Sequence, residues 1–234
     1  PQTFWAVRSG TENNLQYSRP TKDTDRISYK LNARESNAIK HIVPMGDLLM
    51  LTAGGEWRID SQNTDVLTPN SVAPRAQSYV GASNVQPVST KIATLYAQDR
   101  GGRVMSIEYD DTRNGYVPVD KSVMAPHLFD YDYQIVDMGF SRAPVPVLWA
   151  VRDDGVLLGM TYLPEHDVYA WHQQETDGLF ESVAVAPRGI DDDAYFVVKR
   201  TINGQTVRYI ERLTPRRFTA VEECFFIDAG LTYS

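Results

Sequence analysis

The sequence predicts an all-β fold, a β-propeller-like ring of about five or six small antiparallel blades. Three observations predict it. Strand–turn–strand hairpins recur along the chain. One glycine from each turn, Gly10, Gly55, Gly102, Gly155 and Gly204, gives steps of 45, 47, 53 and 49 residues. Only Asn32–Ala38 reads as a short helix. A period of roughly 40–50 residues with several strands in each is what propeller blades show. The repeats share a structural pattern and few letters. Two β-sandwich domains are the alternative, better suited to hairpins at irregular spacing.

The clearest unit is Val147–Gln173, VLWAVRDDGVLLGMTYLPEHDVYAWHQ. Val147–Val151 is an apolar strand. Arg152-Asp153-Asp154-Gly155 is a turn, because Asp-Gly is a strong hairpin signal and Gly reaches positive φ without steric cost. Val156–Tyr162 is the next strand, Pro164–Asp167 the next turn, and Val168–His172 a third strand carrying Tyr169 and Trp171 on alternate positions. Ile135–Gly139 supplies one more strand ahead of them. A sheet this small has two faces and needs neighbours to cover them.

The other hairpins follow in order. Phe4–Val7 leads through Ser9-Gly10 to Leu15–Tyr17, and Ile27–Leu31 suits an edge strand. Ile39–Val43 precedes Leu48–Leu51, Gly54-Gly55 and Trp57–Ile59. Thr64–Pro74, with two prolines, reads as loop, and Gln77–Val80 as strand. Ala93–Ala97 leads through Gly101-Gly102 to Val104–Ile107, and Tyr116–Val119 follows the Asn114-Gly115 turn. Glu181–Ala186 precedes Tyr195–Val198, Asn203-Gly204 and Val207–Ile210. The tail Phe218–Asp228, FTAVEECFFID, reads as a last strand. Pairing it near the N-terminal hairpin would close the ring and remove two exposed edges.

The chain of 234 residues is expected to form a single domain, 1–234. Its 42% hydrophobic and 23% charged residues are ordinary for a globular protein. There is no apolar run long enough for a membrane-spanning helix. The first residues, PQTFWAVRSG, lack an initiator Met and the basic and apolar regions of a signal peptide, so a fragment of a longer protein is expected. A net charge of −7 argues against a surface built to grip nucleic acid. The single cysteine, Cys224, cannot form an internal disulfide and reads as a buried thiol.

Candidate chemistry is thin. The histidines His41, His127, His166 and His172 form no HExxH; His166 and His172 have even spacing but no evident third metal ligand. Asp110-Asp111, Asp153-Asp154 and Asp191-Asp192-Asp193 all fall at turns, where Asp bonds the nearby backbone. A glycosidase could draw an acid and a base from such loops, but acidic turns are common to β proteins. DxDxDG, GxSxG and phosphate-loop motifs are absent from the sequence. Arg212–Arg217, RLTPRR, is the one local basic cluster and reads as solvated surface. Tyr29, Tyr79, Tyr96, Tyr109, Tyr162, Tyr169, Trp171 and Tyr209 lie at or near strands, as core, as cross-strand pairs or as the lining of a carbohydrate site. No catalytic, cofactor-binding or metal residue is assigned.

Several segments in order resemble the tail tube and nozzle proteins of tailed bacteriophages. They are PQTFWAVRSG, ISYKLNARESNAIKHIVPM (Ile27–Met45), DLLMLTAGGEWRI (Asp47–Ile59) and SYVGASNVQPV (Ser78–Val88). GVLLGMTYLPEHDVYAWHQQETDGLFESVAVAP (Gly155–Pro187) and TVRYIERL (Thr206–Leu213) continue the series. The resemblance is to short-tailed phage tail tubular proteins and packaged-DNA-stabilising tail accessory factors. It implies a non-enzymatic virion protein, made in the bacterial cytoplasm during assembly, with propeller-like parts. It further implies a ring, usually a hexamer, around a DNA exit channel, and contacts with other tail, adaptor and fibre proteins. No catalytic residues and no cofactor come with it. Family members are usually much longer, and their N-terminal portion is absent before Pro1, which puts ring assembly by this chain alone in doubt. The rival expectations are a carbohydrate- or receptor-binding propeller module and a polysaccharide-degrading enzyme.

Overall fold

A computed structural model describes residues 2–32, 37–62, 66–129, 132–215, 217–225 and 227–230. The chain is nearly all β, in five antiparallel sheets. It divides into two compact units, Pro1–Arg100 with Ser106–Val119, and Gly101–Met105 with Asp120–Ser234.

In the first unit, β1 (Thr3–Ala6) pairs with β2 (Ile27–Lys30). A four-stranded meander follows, β3 (Ile39–Pro44), β4 (Leu48–Thr52), β5 (Gly55–Ser61) and β6 (Val72–Ser78). Phe4 from the two-stranded sheet and Leu31 just past its second strand meet Met50 and Ile59 from the meander in one buried cluster. The small sheets thus cover one another, which is how a sheet too small for its own core becomes stable. The third sheet, most of whose residues fall in the first unit, has the order β10-β9-β8-β7, from β7 (Val88–Ser89), β8 (Ala93–Ala97), β9 (Val104–Asp110) and β10 (Gly115–Asp120).

The second unit holds the meander read most clearly from the sequence. It comprises β11 (Ile135–Ser141), β12 (Val147–Arg152), β13 (Leu157–Leu163) and β14 (Val168–Gln174), paired in that order. Every residue of β12 is buried, the apolar run Val147–Val151 as its pattern requires and Arg152 with it. Its neighbour sheet is β15 (Leu179–Arg188), β16 (Asp191–Ile202) and β17 (Gln205–Arg212). Trp149, Val151 and Leu157 pack against Val183, Phe196 and Val198 across the two sheets. Each fully buried aliphatic side chain here contributes about 1.5–3 kcal/mol.

The turns explain the glycine spacing. Gly10, Gly102, Gly155 and Gly204 have φ of 74°, 61°, 85° and 75°, where a side chain is strained. At Gly155 the hairpin closes with Arg152 N–H donating to the Val156 carbonyl at 2.9 Å.

Four expectations are corrected. Leu15–Tyr17 is not a strand; the partner of β1 is β2. The polar chain between them is stapled as a loop, because the buried Asp25 carboxylate accepts the N–H groups of Ser18 and Lys22 at 2.8 and 2.9 Å. The stretch expected as loop up to Pro74 is strand from Val72. Pro74 is tolerated because β6 is a sheet edge, where a missing N–H costs no ladder bond. The tail is irregular, with one 3-10 turn at Val221–Glu223 and no strand among the described residues of 218–228. Among the described residues the tail therefore offers no strand for the expected pairing with the N-terminal hairpin. Asp228 is instead held by Arg200, Thr176 and Asp177. Cys224 follows that turn and is half-buried, not enclosed in a strand. The expected helix at Asn32–Ala38 falls on 33–36, outside the described residues.

Candidate functional site

The first unit carries an open groove of about 680 Å³. Its walls are the β3–β4 turn (Pro44, Met45, Gly46, Asp47), the β7–β8 turn, and Tyr109 with Tyr116. The two rings meet edge to face with centroids 5.2 Å apart, the arrangement that aligns a ring's positive edge with its neighbour's negative face. They are brought together by the Asn114-Gly115 hairpin, where Asn114 takes a φ of 49°.

Each ring is fixed by a second contact. The Tyr109 hydroxyl donates to Asn114 Oδ1 at 2.6 Å. The Tyr116 oxygen accepts the Asp47 N–H at 3.2 Å, and burial raises the Tyr116 pKa above its ordinary value. Arg58 lies 2.9 Å from the Asp47 carboxylate and 5.9 Å from the Tyr109 ring centre. The opposite wall brings Ser89 and Thr90, with Lys91 and Ile92 exposed at the turn. Tyr109 keeps 42% and Ile92 46% of its surface open to solvent. The result is a rigid, partly apolar surface with hydroxyl, carboxylate and ammonium groups at its margin.

The acidic turns singled out in the sequence are engaged in structure. Asp110 Oδ1 accepts the N–H groups of Thr112 and Arg113 at 2.8 and 3.3 Å, while its neighbour Asp111 is exposed. Asp153 accepts the Gln134 N–H. Asp154 pairs with Arg152, and that hydrogen-bonded guanidinium holds its carboxyl below the ordinary range. Asp192 accepts the N–H groups of Arg142 and Ala143, at 2.6 and 3.2 Å.

The third acidic run and the RLTPRR cluster meet. Asp193 lies 3.3 Å from Arg212 and 3.4 Å from Arg188, and Asp191 lies 3.7 Å from Arg217. Arg212 and Arg217 are exposed, as the reading of the cluster as solvated surface expects, and the pairing of β16 with β17 leads them back onto the aspartates. A cleft of about 20 Å³ between them has room for about one water.

The histidines do not converge. His41 bonds the Ser83 carbonyl at 3.0 Å, and burial holds its imidazole below its ordinary value. His127 and His166 are exposed on 3-10 turns. His172 stands edge to face with Trp149, ring centres 5.8 Å apart. Among the described residues no His, Cys, Asp and Glu cluster has metal-ligand geometry.

The aromatics divide by burial. Tyr96 and Tyr162 are core. Tyr29 packs on Phe4, Trp171 on Phe129, and Tyr169 on Tyr162. Tyr79 and Tyr209 are exposed but do not line the groove. Sequence reasoning missed Glu56, which is fully buried. Its carboxylate accepts from the Tyr96 hydroxyl at 2.9 Å, the Gly81 N–H at 3.0 Å and the Ser78 hydroxyl.

No protein-family model and no curated protein matches the chain.

Proposed function

We propose that the chain is a structural component of a bacteriophage virion tail, of tail tube or nozzle type. In this reading its sheets are successive propeller-like blades. In the intact protein they form part of a homohexameric ring around the DNA exit channel and an attachment platform for adaptor and fibre proteins. The observation that supports the reading is the use made of the acidic turns. At Asp110, Asp153-Asp154 and Asp191–Asp193, carboxylates are bonded to backbone N–H groups or to arginines. Such contacts stiffen loops, as a scaffold that must hold its shape under load needs. The resemblance of the quoted segments supplies the tail assignment. A net charge of −7 suits a channel wall along which DNA passes without sticking.

The test is a nonsense mutation in the gene within the phage that carries it. Under non-suppressing conditions, particles that fill with DNA but lose it, or lack the distal tail, support the reading. Infectious particles of normal morphology overturn it. A lumen lined with Lys and Arg in the assembled ring would contradict the channel-wall role.

A further inference from the structure

We propose that the groove of the first unit is a saccharide-binding site that takes a short run of pyranose rings from a polysaccharide. The inference goes beyond the tail assignment and stands on the groove's own residues, whether or not the chain belongs to a virion.

The volume of about 680 Å³ lies within the 300–1,000 Å³ expected of ligand clefts. A pyranose offers an apolar face of C–H groups and a rim of hydroxyls. The groove offers the complement. Tyr109 and Ile92 give exposed apolar surface, and Asp47 and Lys91 stand around it with their carboxylate and ammonium groups, while the Ser89 and Thr90 hydroxyls are held by Thr94 and Ala93. Carboxylate and ammonium groups bond sugar hydroxyls as acceptor and donor. A ring such as Tyr109 adds contact area at low entropic cost because it is already held. Its hydroxyl is tied to Asn114, its edge or face rests on Tyr116, and Arg58 stands 5.9 Å from its centre.

Two other occupants fit less well. A nucleic acid needs clustered cations for its phosphates. Here Arg58 is ion-paired with Asp47, which itself lines the groove. An extended peptide needs a long sheet edge to extend; of the edge strands that reach the groove, β7 is two residues long, and β3 and β10 touch it only at Pro44 and Tyr116.

The test is affinity electrophoresis of the full chain in native gels. The gels contain, in turn, a soluble glucan, mannan, galactan and a uronate-containing polysaccharide, with a single-stranded oligonucleotide as a separate arm. Saturable retardation by at least one polysaccharide is expected. Tyr109→Ala should weaken it about tenfold. Tyr109→Phe, which keeps the ring, should stay within about threefold, and Tyr79→Ala, outside the groove, should leave it unchanged. Circular dichroism of each variant establishes that it is folded. Four results would overturn the proposal: no retardation by any of the polysaccharides, equal retardation of folded Tyr109→Ala, a Tyr79→Ala loss as large as that of Tyr109→Ala, or Tyr109-dependent binding of the oligonucleotide alone.

Discussion

Glu56 in the first unit and Arg200 in the second are both buried charges in β-sheets, satisfied in opposite ways. Glu56 sits at the start of β5 with neutral donors from Ser78, Gly81 and Tyr96. Tyr96 belongs to β8, so this knot ties two sheets together. Arg200 in β16 is met by two carboxylates, Glu211 at 2.6 Å and Asp228 at 3.1 Å, and it donates to the Asp177 carbonyl and the Thr176 hydroxyl. This knot ties the irregular tail to one sheet. Glu56 is sealed from water, whereas the side chains of Glu211 and Asp228 keep 25% and 44% of their surface exposed. The contrast teaches that a charge is tolerated inside when its partners are complete, and that water access sets what breaking it costs.

The largest expected effect breaks the sealed knot. Glu56→Ala strands three donors and should lower unfolding free energy by about 3–5 kcal/mol in urea titration. A loss below about 1 kcal/mol would show that water reaches the site. Next comes Gly81→Ala. Gly81 has a φ of 83°, and an added Cβ would lie 2.2 Å from the Ala53 carbonyl oxygen. Strain and displacement of the Glu56 donor together should cost about 3 kcal/mol. Gly204→Ala, at φ 75° in open space, should cost only about 1 kcal/mol. Equal losses at the two glycines would refute the crowding argument.

Arg200→Met should cost about 2 kcal/mol, less than Glu56→Ala, because the freed carboxylates can be hydrated. The smallest effect is Asp228→Asn, within about 1 kcal/mol of wild type but with faster proteolysis of the tail. Acid should act the same way. Bonds from Thr176, the Asp177 N–H and Arg200 lower the Asp228 pKa from its ordinary 3.8. A depressed folded pKa means that the attachment is complete above the unfolded value and is lost as pH falls through the folded one. Tail cleavage by pepsin, normalised at each pH to cleavage of an unstructured peptide, should therefore rise as pH falls below about 3.8 in wild type and stay flat in Asp228→Asn. Parallel curves would place the acid response elsewhere.

The meander from Ile135 to His172 was legible because its turn chemistry is local: Asp-Gly at 154–155 and Pro-Glu-His-Asp at 164–167 fix where strands stop. The loop before β2 was not legible, because Asp25 closes it with N–H groups three and seven residues away that carry no sequence mark. The tail reads as a strand from its apolar residues, yet Arg200 holds Asp228 from 28 residues back. For the groove, Tyr109 and Tyr116 flank one Asn-Gly turn and could be paired from sequence. Asp47 and Lys91 come from other sheet turns, and only the fold brings them there. Glu56 carries no mark in the sequence, because its donors come from residues 78, 81 and 96.

We propose above that the chain shapes a virion tail. Electron microscopy of purified particles with a gold-labelled antibody against this chain tests it most directly. Gold at the distal tail of intact virions is the predicted result. Virions that stay unlabelled, under conditions where the same antibody detects the purified chain, would contradict it.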